Sequence, residues 1–206
     1  MKVKICGITN IKDALFCEKI GANALGFIFY KDSKRYIEPE NVKKIISELS
    51  ALTVKVGVFV NSSPEEINKT ASILKLNAVQ LHGEETLELI EEIDFPVIKS
   101  FRINGEFDFT ILNKYKNVSF LFDSYSKEEH GGTGKTFNWN LMPKELEGNF
   151  ILAGGISIEN IEEIFNKVKP KAIDVSSSLE KSPRIKDHKK VKGFFQKINS
   201  LRSLPC

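Results

Sequence analysis

The chain has 206 residues, of which 41% are hydrophobic, and a formal net charge of +3 from 30 basic and 27 acidic residues. This length suits one domain, and the intermixed charges argue against a nucleic-acid partner. No apolar stretch is long enough to span a membrane, and the N-terminus has no signal-peptide pattern. Cys6, Cys17 and Cys206 lack the spacing of a disulfide framework or a zinc site. We therefore predict a soluble cytoplasmic protein without a bound metal.

Short β-rich segments recur along the chain at intervals that are too long for hairpins. Segments with helical periodicity lie between most of them, for example at residues 41–49 and 64–74. Strands that alternate with helices pair in parallel, and nearly continuous apolar runs fit a sheet that is covered on both faces. The predicted strands span residues 3–6, 24–29, 54–60, 78–81, 97–101, 118–122, 150–153 and 172–175.

The connections between these strands carry helix-start signals. Residues 61–63 offer capping side chains before Pro64, and residues 157–160 do the same after the seventh strand. The connection after the fifth strand is the exception, because residues 104–108 lead into a segment that predicts only a short or irregular helix. The densest basic run, residues 186–192, is interpreted as the solvated face of the last helix.

This alternation of eight strands with helices favours an α/β fold, a single-domain (β/α)8 TIM barrel. We predict that it spans residues 1–206, with a short polar C-terminal tail at about 202–206. A doubly wound open sheet is the alternative. In barrel enzymes the site is built at the C-terminal ends of the strands, so the residues at those positions are the candidates for function.

A lone cysteine, Cys6, stands where the first apolar strand stops. Gly7 follows at once and permits a sharp turn, and Thr9 and Asn10 can cap the next helix. The thiol is therefore a candidate for catalysis; the alternative is a cysteine that fills space in the core. Cys17 has that second role, because it falls on the apolar face of the first helix.

Other polar side chains are predicted at the same rim. Asp123 ends the sixth strand, where a carboxylate can act as a general acid or merely cap its own turn. Arg35 follows the second strand and carries a guanidinium suited to a carboxylate, although a surface arginine is the alternative. His82 ends the fourth strand, where a lone histidine is more often structural than catalytic. Asn61 and Arg102 complete this set.

Two loops of small residues favour a phosphate ligand. Gly154 and Gly155 lie between the seventh strand and a helix, where backbone N–H groups can face an anion. Residues 176–178 are serines after the eighth strand, where a short helix commonly completes a phosphate site in barrels. Together they indicate a phosphate monoester; the alternative is that these residues only make tight turns.

A long glycine-rich connection, residues 124–136, follows the sixth strand. It lacks the glycine spacing of a nucleotide-binding P-loop, so ATP binding is not predicted. We interpret this segment as a mobile cover over the site.

Several motifs in order along the chain resemble one known family. They are VKICGIT at 3–9, GFIFY at 26–30, SKRYI at 33–37, QLHG at 80–83, FDS at 122–124, GGTGKTFNW at 131–139, LAGGI at 152–156 and DVSS at 174–177. The chain resembles the phosphoribosylanthranilate isomerases of tryptophan biosynthesis over nearly its whole length. That resemblance implies an aldose-ketose isomerase that converts N-(5-phosphoribosyl)anthranilate to 1-(2-carboxyphenylamino)-1-deoxyribulose 5-phosphate by an Amadori rearrangement. It implies no cofactor or metal.

The resemblance also implies a role for each candidate. Asp123 is the general acid that protonates the furanose ring oxygen, and Cys6 is the general base that removes the proton from sugar C2. Arg35 pairs with the anthranilate carboxylate. Phosphate is bound by the backbone around the two glycine and serine loops, and a weaker inference is that Asp174 orders the second of them. The phosphate-binding candidates are Gly154, Gly155, Ser177 and Ser178.

Two departures from the family and three competing functions stay open. Asn138 stands where the family commonly has aspartate, and we expect this change to alter only helix capping. Ser178 replaces a usual glycine, and if that position requires a positive φ the serine shifts the phosphate contacts. The first competing function is that of a related histidine-pathway isomerase, which uses two aspartates; Cys6 argues against it. The other two are a binding protein without turnover and a structural scaffold. We expect a small phosphosugar as the partner, no nucleic acid or membrane, and a monomer or homodimer.

Overall fold

A closed barrel of eight parallel strands forms the centre of the computed structural model, which describes residues 1–124 and 143–203. The strands follow one another in chain order, and β1 closes the barrel by pairing with both β2 and β8. The predicted (β/α)8 barrel is confirmed, and the open sheet is wrong. The strands are β1 (Lys2–Cys6), β2 (Ala24–Ile28), β3 (Val54–Phe59), β4 (Ala78–Leu81), β5 (Val97–Ile103), β6 (Val118–Ser124), β7 (Ile151–Leu152) and β8 (Ala172–Val175).

Helices of very different lengths connect the strands. After β5 the chain forms only the 3-10 helix Phe109–Lys114, so the predicted irregular connection is confirmed. Further 3-10 turns are Lys144–Leu146 and Ser177–Leu179, and a π-helical turn, Ile164–Val168, continues α5. The α-helices are α1 (Ile11–Lys19), α2 (Pro39–Ile46), α3 (Pro64–Leu74), α4 (Leu87–Glu91), α5 (Ile161–Glu163) and α6 (His188–Arg202).

Side-chain caps fix several helix starts as the sequence predicts. At α3, Ser63 accepts a hydrogen bond from the backbone of Glu66, and Pro64 occupies the first turn. The segment before α5 behaves differently, because the Asn160 side chain accepts from the Ser157 backbone N–H instead of capping the helix. That bond folds the loop after β7 back on itself.

The core lies inside the barrel and between the barrel and its helices. Phe27, Phe59 and Phe122 are almost fully buried on the strands, and Phe194 is buried on α6. Each such side chain contributes about 1.5–3 kcal/mol through removal of apolar surface from water. Cys17 is also fully buried on α1, which confirms its predicted place in the core.

The basic run 186–192 is not wholly a solvated face of the last helix, so that interpretation is wrong for its first residue. Lys186 lies in β10 (Ile185–Lys186), which pairs antiparallel with β9 (Glu180–Ser182) before α6 begins. Its side chain is buried, and the Lys186 ammonium lies 3.0 Å from the Glu180 carboxylate. A lysine that finds a carboxylate partner tolerates such burial.

Some expectations fall outside the part of the chain that the structure describes. The predicted cover from residue 125 onward, Asn138 and the end of the tail, including Cys206, lie in residues 125–142 and 204–206. Among the described helices, none has both the length and the apolar character needed to cross a membrane.

Candidate active site

A cavity of about 290 Å³ lies at the C-terminal ends of the barrel strands. The predicted rim residues Asn61 and Arg102 do not line it, whereas His82 does. Within residues 1–124 and 143–203, His, Cys, Asp and Glu side chains form no group that could hold a metal ion. The catalytic and substrate-binding candidates predicted from the sequence all line the cavity: Cys6, Arg35, Asp123, Gly154, Gly155, Asp174, Ser177 and Ser178.

Cys6 occupies the end of β1 and is only 8% exposed. Burial raises the pKa of its thiol, because a thiolate loses its hydration there, whereas the nearby Lys4 ammonium acts to lower it. The Lys4 ammonium in turn forms a buried ion pair with Asp174, with Nζ 2.7 Å from Oδ2. The candidate base therefore lies beside a lysine and an aspartate that are both buried.

The sheet register explains why these groups meet. Lys4 and Cys6 are two residues apart, so they lie on the same face of β1, and Lys4 is directly opposite Asp174 on β8. Gly26 is opposite Cys6 on β2, where an added Cβ would lie 2.9 Å from the sulfur and 3.1 Å from the Lys4 nitrogen. Gly26 thus provides the room that both groups occupy.

The sequence interpretation missed Lys4. A signal was available, because a lysine two residues before the cysteine in an apolar strand must share its face. The resemblance predicts that Asp174 orders the loop after β8, and the structure places its carboxylate against this lysine.

Asp123 lies on a different wall of the cavity, in β6, and faces His82. The His82 Nε2 atom is 3.4 Å from the Asp123 carboxylate, and His82 Nδ1 is 3.1 Å from the Gln80 side-chain nitrogen. The His82 ring therefore lies between the Gln80 amide and the Asp123 carboxylate. The histidine, whose role the sequence did not decide, faces the candidate acid.

Arg35 is held at the cavity wall by Glu180. Its Nε is 2.9 Å from one carboxylate oxygen and its Nη2 is 2.7 Å from the other. Burial by itself would raise the pKa of Glu180, but hydrogen bonds from Arg35 and the charge of Lys186 hold that pKa below its usual range. Gly7 has φ +76°, and a Cβ there would lie 2.6 Å from Cδ of Arg35, so the turn after β1 needs glycine.

The loops after β7 and β8 form the remaining wall. Gly154 and Gly155 have φ values of +83° and +63°, which favour glycine. The Asn160 side chain donates to the Gly155 carbonyl at 2.8 Å and fixes this turn. The two loops are joined because the Ser178 hydroxyl donates to the Ile156 carbonyl at 2.6 Å.

Ser178 brings no backbone strain to this wall. It lies in the 3-10 turn Ser177–Leu179 and is not among the described residues with positive φ. The condition under which the serine was expected to disturb the phosphate contacts is therefore not met, and its hydroxyl adds a bond that glycine lacks.

Comparison with known proteins finds relatives that match nearly the whole chain. The family model described as N-(5'phosphoribosyl)anthranilate (PRA) isomerase matches residues 3–197. An N-(5'-phosphoribosyl)anthranilate isomerase from Thermotoga petrophila is 44% identical, over 98% of this chain and 100% of that protein. A crystal structure of phosphoribosyl anthranilate isomerase from Thermus thermophilus superimposes with a TM-score of 0.90 at 37% identity, covering 98% and 100% of the two chains.

A second solved structure contains a ligand. It is a phosphoribosyl anthranilate isomerase in complex with reduced 1-(o-carboxyphenylamino)-1-deoxyribulose 5-phosphate. Its TM-score is 0.86 at 41% identity, over 97% of this chain and 99% of that one.

Proposed function

Because the chain belongs to the N-(5'-phosphoribosyl)anthranilate isomerase family and isomerises that aminoaldose in tryptophan biosynthesis, we propose that Asp123 and Cys6 are its general acid and general base. The observation that carries this assignment is their position on separate strands around one cavity. An Amadori rearrangement needs one group that gives a proton and another that takes one, and side chains on different walls can hold opposite protonation states.

The acid step opens the sugar ring. Asp123 gives a proton to the furanose oxygen, the bond from that oxygen to C1 breaks, and the anthranilate nitrogen shares the resulting positive charge as a protonated Schiff base. In this proposal His82, whose Nε2 is 3.4 Å from the Asp123 carboxylate, donates a hydrogen bond to the anion that proton donation leaves.

The base step moves the double bond. The Cys6 thiolate removes the proton from C2, and the electrons of that C–H bond form a C1–C2 double bond that neutralises the Schiff base. The enolamine then tautomerises to the aminoketose. The positive charge on the substrate nitrogen makes the C2 proton acidic enough for a thiolate to remove.

Arg35 and the glycine and serine loops are proposed to bind the two ends of the substrate. The fixed guanidinium of Arg35 suits the anthranilate carboxylate, and the backbone of the loops after β7 and β8 suits the phosphate. Cytoplasmic localisation is part of the proposal, because a catalytic thiol is preserved in a reducing compartment and Cys6 is a free thiol.

The roles are tested by steady-state kinetics on Cys6→Ser and Asp123→Asn. We expect each change to lower kcat by about 10²- to 10⁴-fold, as is typical for loss of a general acid or base. Cys17→Ala is the matched control, because Cys17 lies in the core away from the cavity. Circular dichroism checks that each variant is folded. A folded variant of either residue that keeps native kcat would refute its role.

A further inference from the structure

We propose that Lys4 is a positioning residue whose ammonium stabilises the thiolate of Cys6, and that Asp174 is the buried counter-ion that shares this ammonium with the thiolate. The inference deepens the proposed function, since it rests on Cys6 being the base. Lys4 takes no part in the proton transfers themselves and acts only through the cysteine.

The geometry places one cation between two groups that can be anionic. Lys4 and Asp174 are 4% and 9% exposed, and the lysine nitrogen is 2.7 Å from Oδ2 of the aspartate. The same nitrogen and the Cys6 sulfur both lie within about 3 Å of the point where a Gly26 Cβ would be. An ammonium has three N–H donors, so it can bond to the carboxylate and still face the sulfur.

Burial strengthens the interaction between the Lys4 ammonium and a Cys6 thiolate. A thiolate in this corner has lost water, and an opposite charge interacts with it much more strongly there than at the surface. Among the causes that act on the Cys6 pKa, burial is the largest and raises it, and the Lys4 charge is next and lowers it. The lysine thus offsets the effect that would otherwise keep the base protonated.

Asp174 bonds to Lys4 through one of its oxygens. Its Oδ2 accepts from the lysine, whereas its buried Oδ1 has no hydrogen-bond partner within residues 1–124 and 143–203. A carboxylate bonded to a buried ammonium serves as its counter-ion. It also raises the pKa of the Cys6 thiol, because its negative charge opposes a second anion nearby.

Other charges reach this corner from several elements. Lys186 lowers the pKa of the Cys6 thiol, and Asp123 and His82 act on Asp174 with opposite signs. The groups that face the thiol or its counter-ion are Lys4 (β1), His82 (after β4), Asp123 (β6), Asp174 (β8) and Lys186 (β10). Of these five groups, Lys4 bonds to the Asp174 carboxylate and also lies next to the sulfur, so its removal should have the largest effect.

The test is a pH titration of the Cys6 thiolate by its ultraviolet absorbance, with the titration of Cys6→Ser subtracted. Cys17 does not interfere, because burial raises its pKa to about 12. We expect the midpoint to rise by about one pH unit or more in Lys4→Met, which keeps the length and removes the charge. We expect it to fall in Asp174→Asn, which removes the opposing anion. Loss of a structural contact would not shift the two variants in opposite directions.

A second variant keeps the test decisive if Lys4→Met does not fold. The double variant Lys4→Met/Asp174→Asn removes both buried charges, which is often tolerated where a single unpaired charge is not. Its midpoint should lie above that of the native chain. Midpoints that stay at the native value, or that move in the same direction in Lys4→Met and Asp174→Asn, would overturn the inference.

Kinetics then separate this inference from the proposed function. Lys4→Met should lower kcat about tenfold or more at neutral pH with little change in KM, and higher pH should restore part of the loss. The thiol titration needs no substrate. A native chain without isomerase activity would therefore refute the function and leave the titration result standing, whereas an active chain with unshifted midpoints would refute only the role of Lys4.

Discussion

Among single residues, Arg35 shows how the structure prepares a side chain before any ligand arrives. Two of its N–H groups bond to Glu180 in a forked geometry, so the plane of the guanidinium is fixed at the cavity wall. A fixed group loses less conformational entropy when it binds a substrate. In the proposed contact between Arg35 and the substrate carboxylate, Glu180 acts by holding the guanidinium in place.

We predict that Arg35→Lys raises KM for N-(5'-phosphoribosyl)anthranilate by about tenfold, equivalent to about 1.4 kcal/mol, and changes kcat much less. Lysine keeps the charge but lacks the planar fork that binds a carboxylate through two bonds. Steady-state kinetics measure both constants. Arg202→Lys is the control, because Arg202 is an exposed residue of α6. Equal KM values for the native chain and Arg35→Lys would contradict the proposed contact.

Single residues also show how much of the site could be predicted from the sequence. Cys6 and Asp123 were found because each is a polar group at the end of an apolar strand, and such positions are few. Lys4 was missed because a lysine is normally assigned to the surface unless a specific partner is known. Its partner, Asp174, is 170 residues away in the sequence, and only the register of β1 against β8 brings them together.

Among elements, a buried ion pair organises the ends of β3, β4 and β5. The Lys99 ammonium in β5 is 2.6 Å from the Glu85 carboxylate, which also accepts hydrogen bonds from the backbone of Asn61 and Gly83. Gly83 directly follows His82, so this pair fixes the backbone beside the histidine that faces Asp123. The pair therefore supports the backbone next to the proposed general acid's neighbour, His82.

We predict that Glu85→Gln lowers the free energy of unfolding at neutral pH by about 3–5 kcal/mol, because it leaves the buried Lys99 charge without a partner. Chemical denaturation measures this loss. Glu163→Gln is the control, because the Glu163–Lys167 pair is exposed and should contribute less than about 1 kcal/mol.

The same pair predicts a dependence on pH. Burial would raise the pKa of Glu85, but the charge and hydrogen bond of Lys99 outweigh burial and hold that pKa below its ordinary 4.5. The stabilisation is therefore complete above pH 4.5 and is lost as pH falls through the lower folded-state pKa. The difference between the native chain and Glu85→Gln should shrink below pH 4.5. A difference that stays constant on acidification would contradict this assignment.

The strands were the easiest elements to predict. Continuous apolar runs marked β4 and β8 with the bounds that the structure gives, because strands covered on both faces carry few polar residues. The β9–β10 hairpin was not predicted, since its residues are mostly polar and its pairing depends on Glu180 and Lys186 being buried together.

For the whole molecule, closure of the barrel is what creates the site. The first and last strands pair, so residues from both ends of the chain reach one cavity, and parallel strands direct all their C-terminal ends to the same rim. That topology made the set of candidate residues predictable. The ion pairs and hydrogen bonds among these residues could not be predicted, because they depend on strand register and side-chain direction. Since closure joins both ends of the chain, we propose that residues 1–206 act as one catalytic domain.

We propose that this barrel isomerises N-(5'-phosphoribosyl)anthranilate with Cys6 as the base. The most direct test mixes the purified native chain with freshly generated substrate and follows the loss of anthranilate-type fluorescence, with Cys6→Ser measured in parallel. We predict rapid loss with the native chain and a rate near the uncatalysed background with the variant. Saturable binding of a reduced product analogue without any loss of fluorescence in the native chain would contradict the claim.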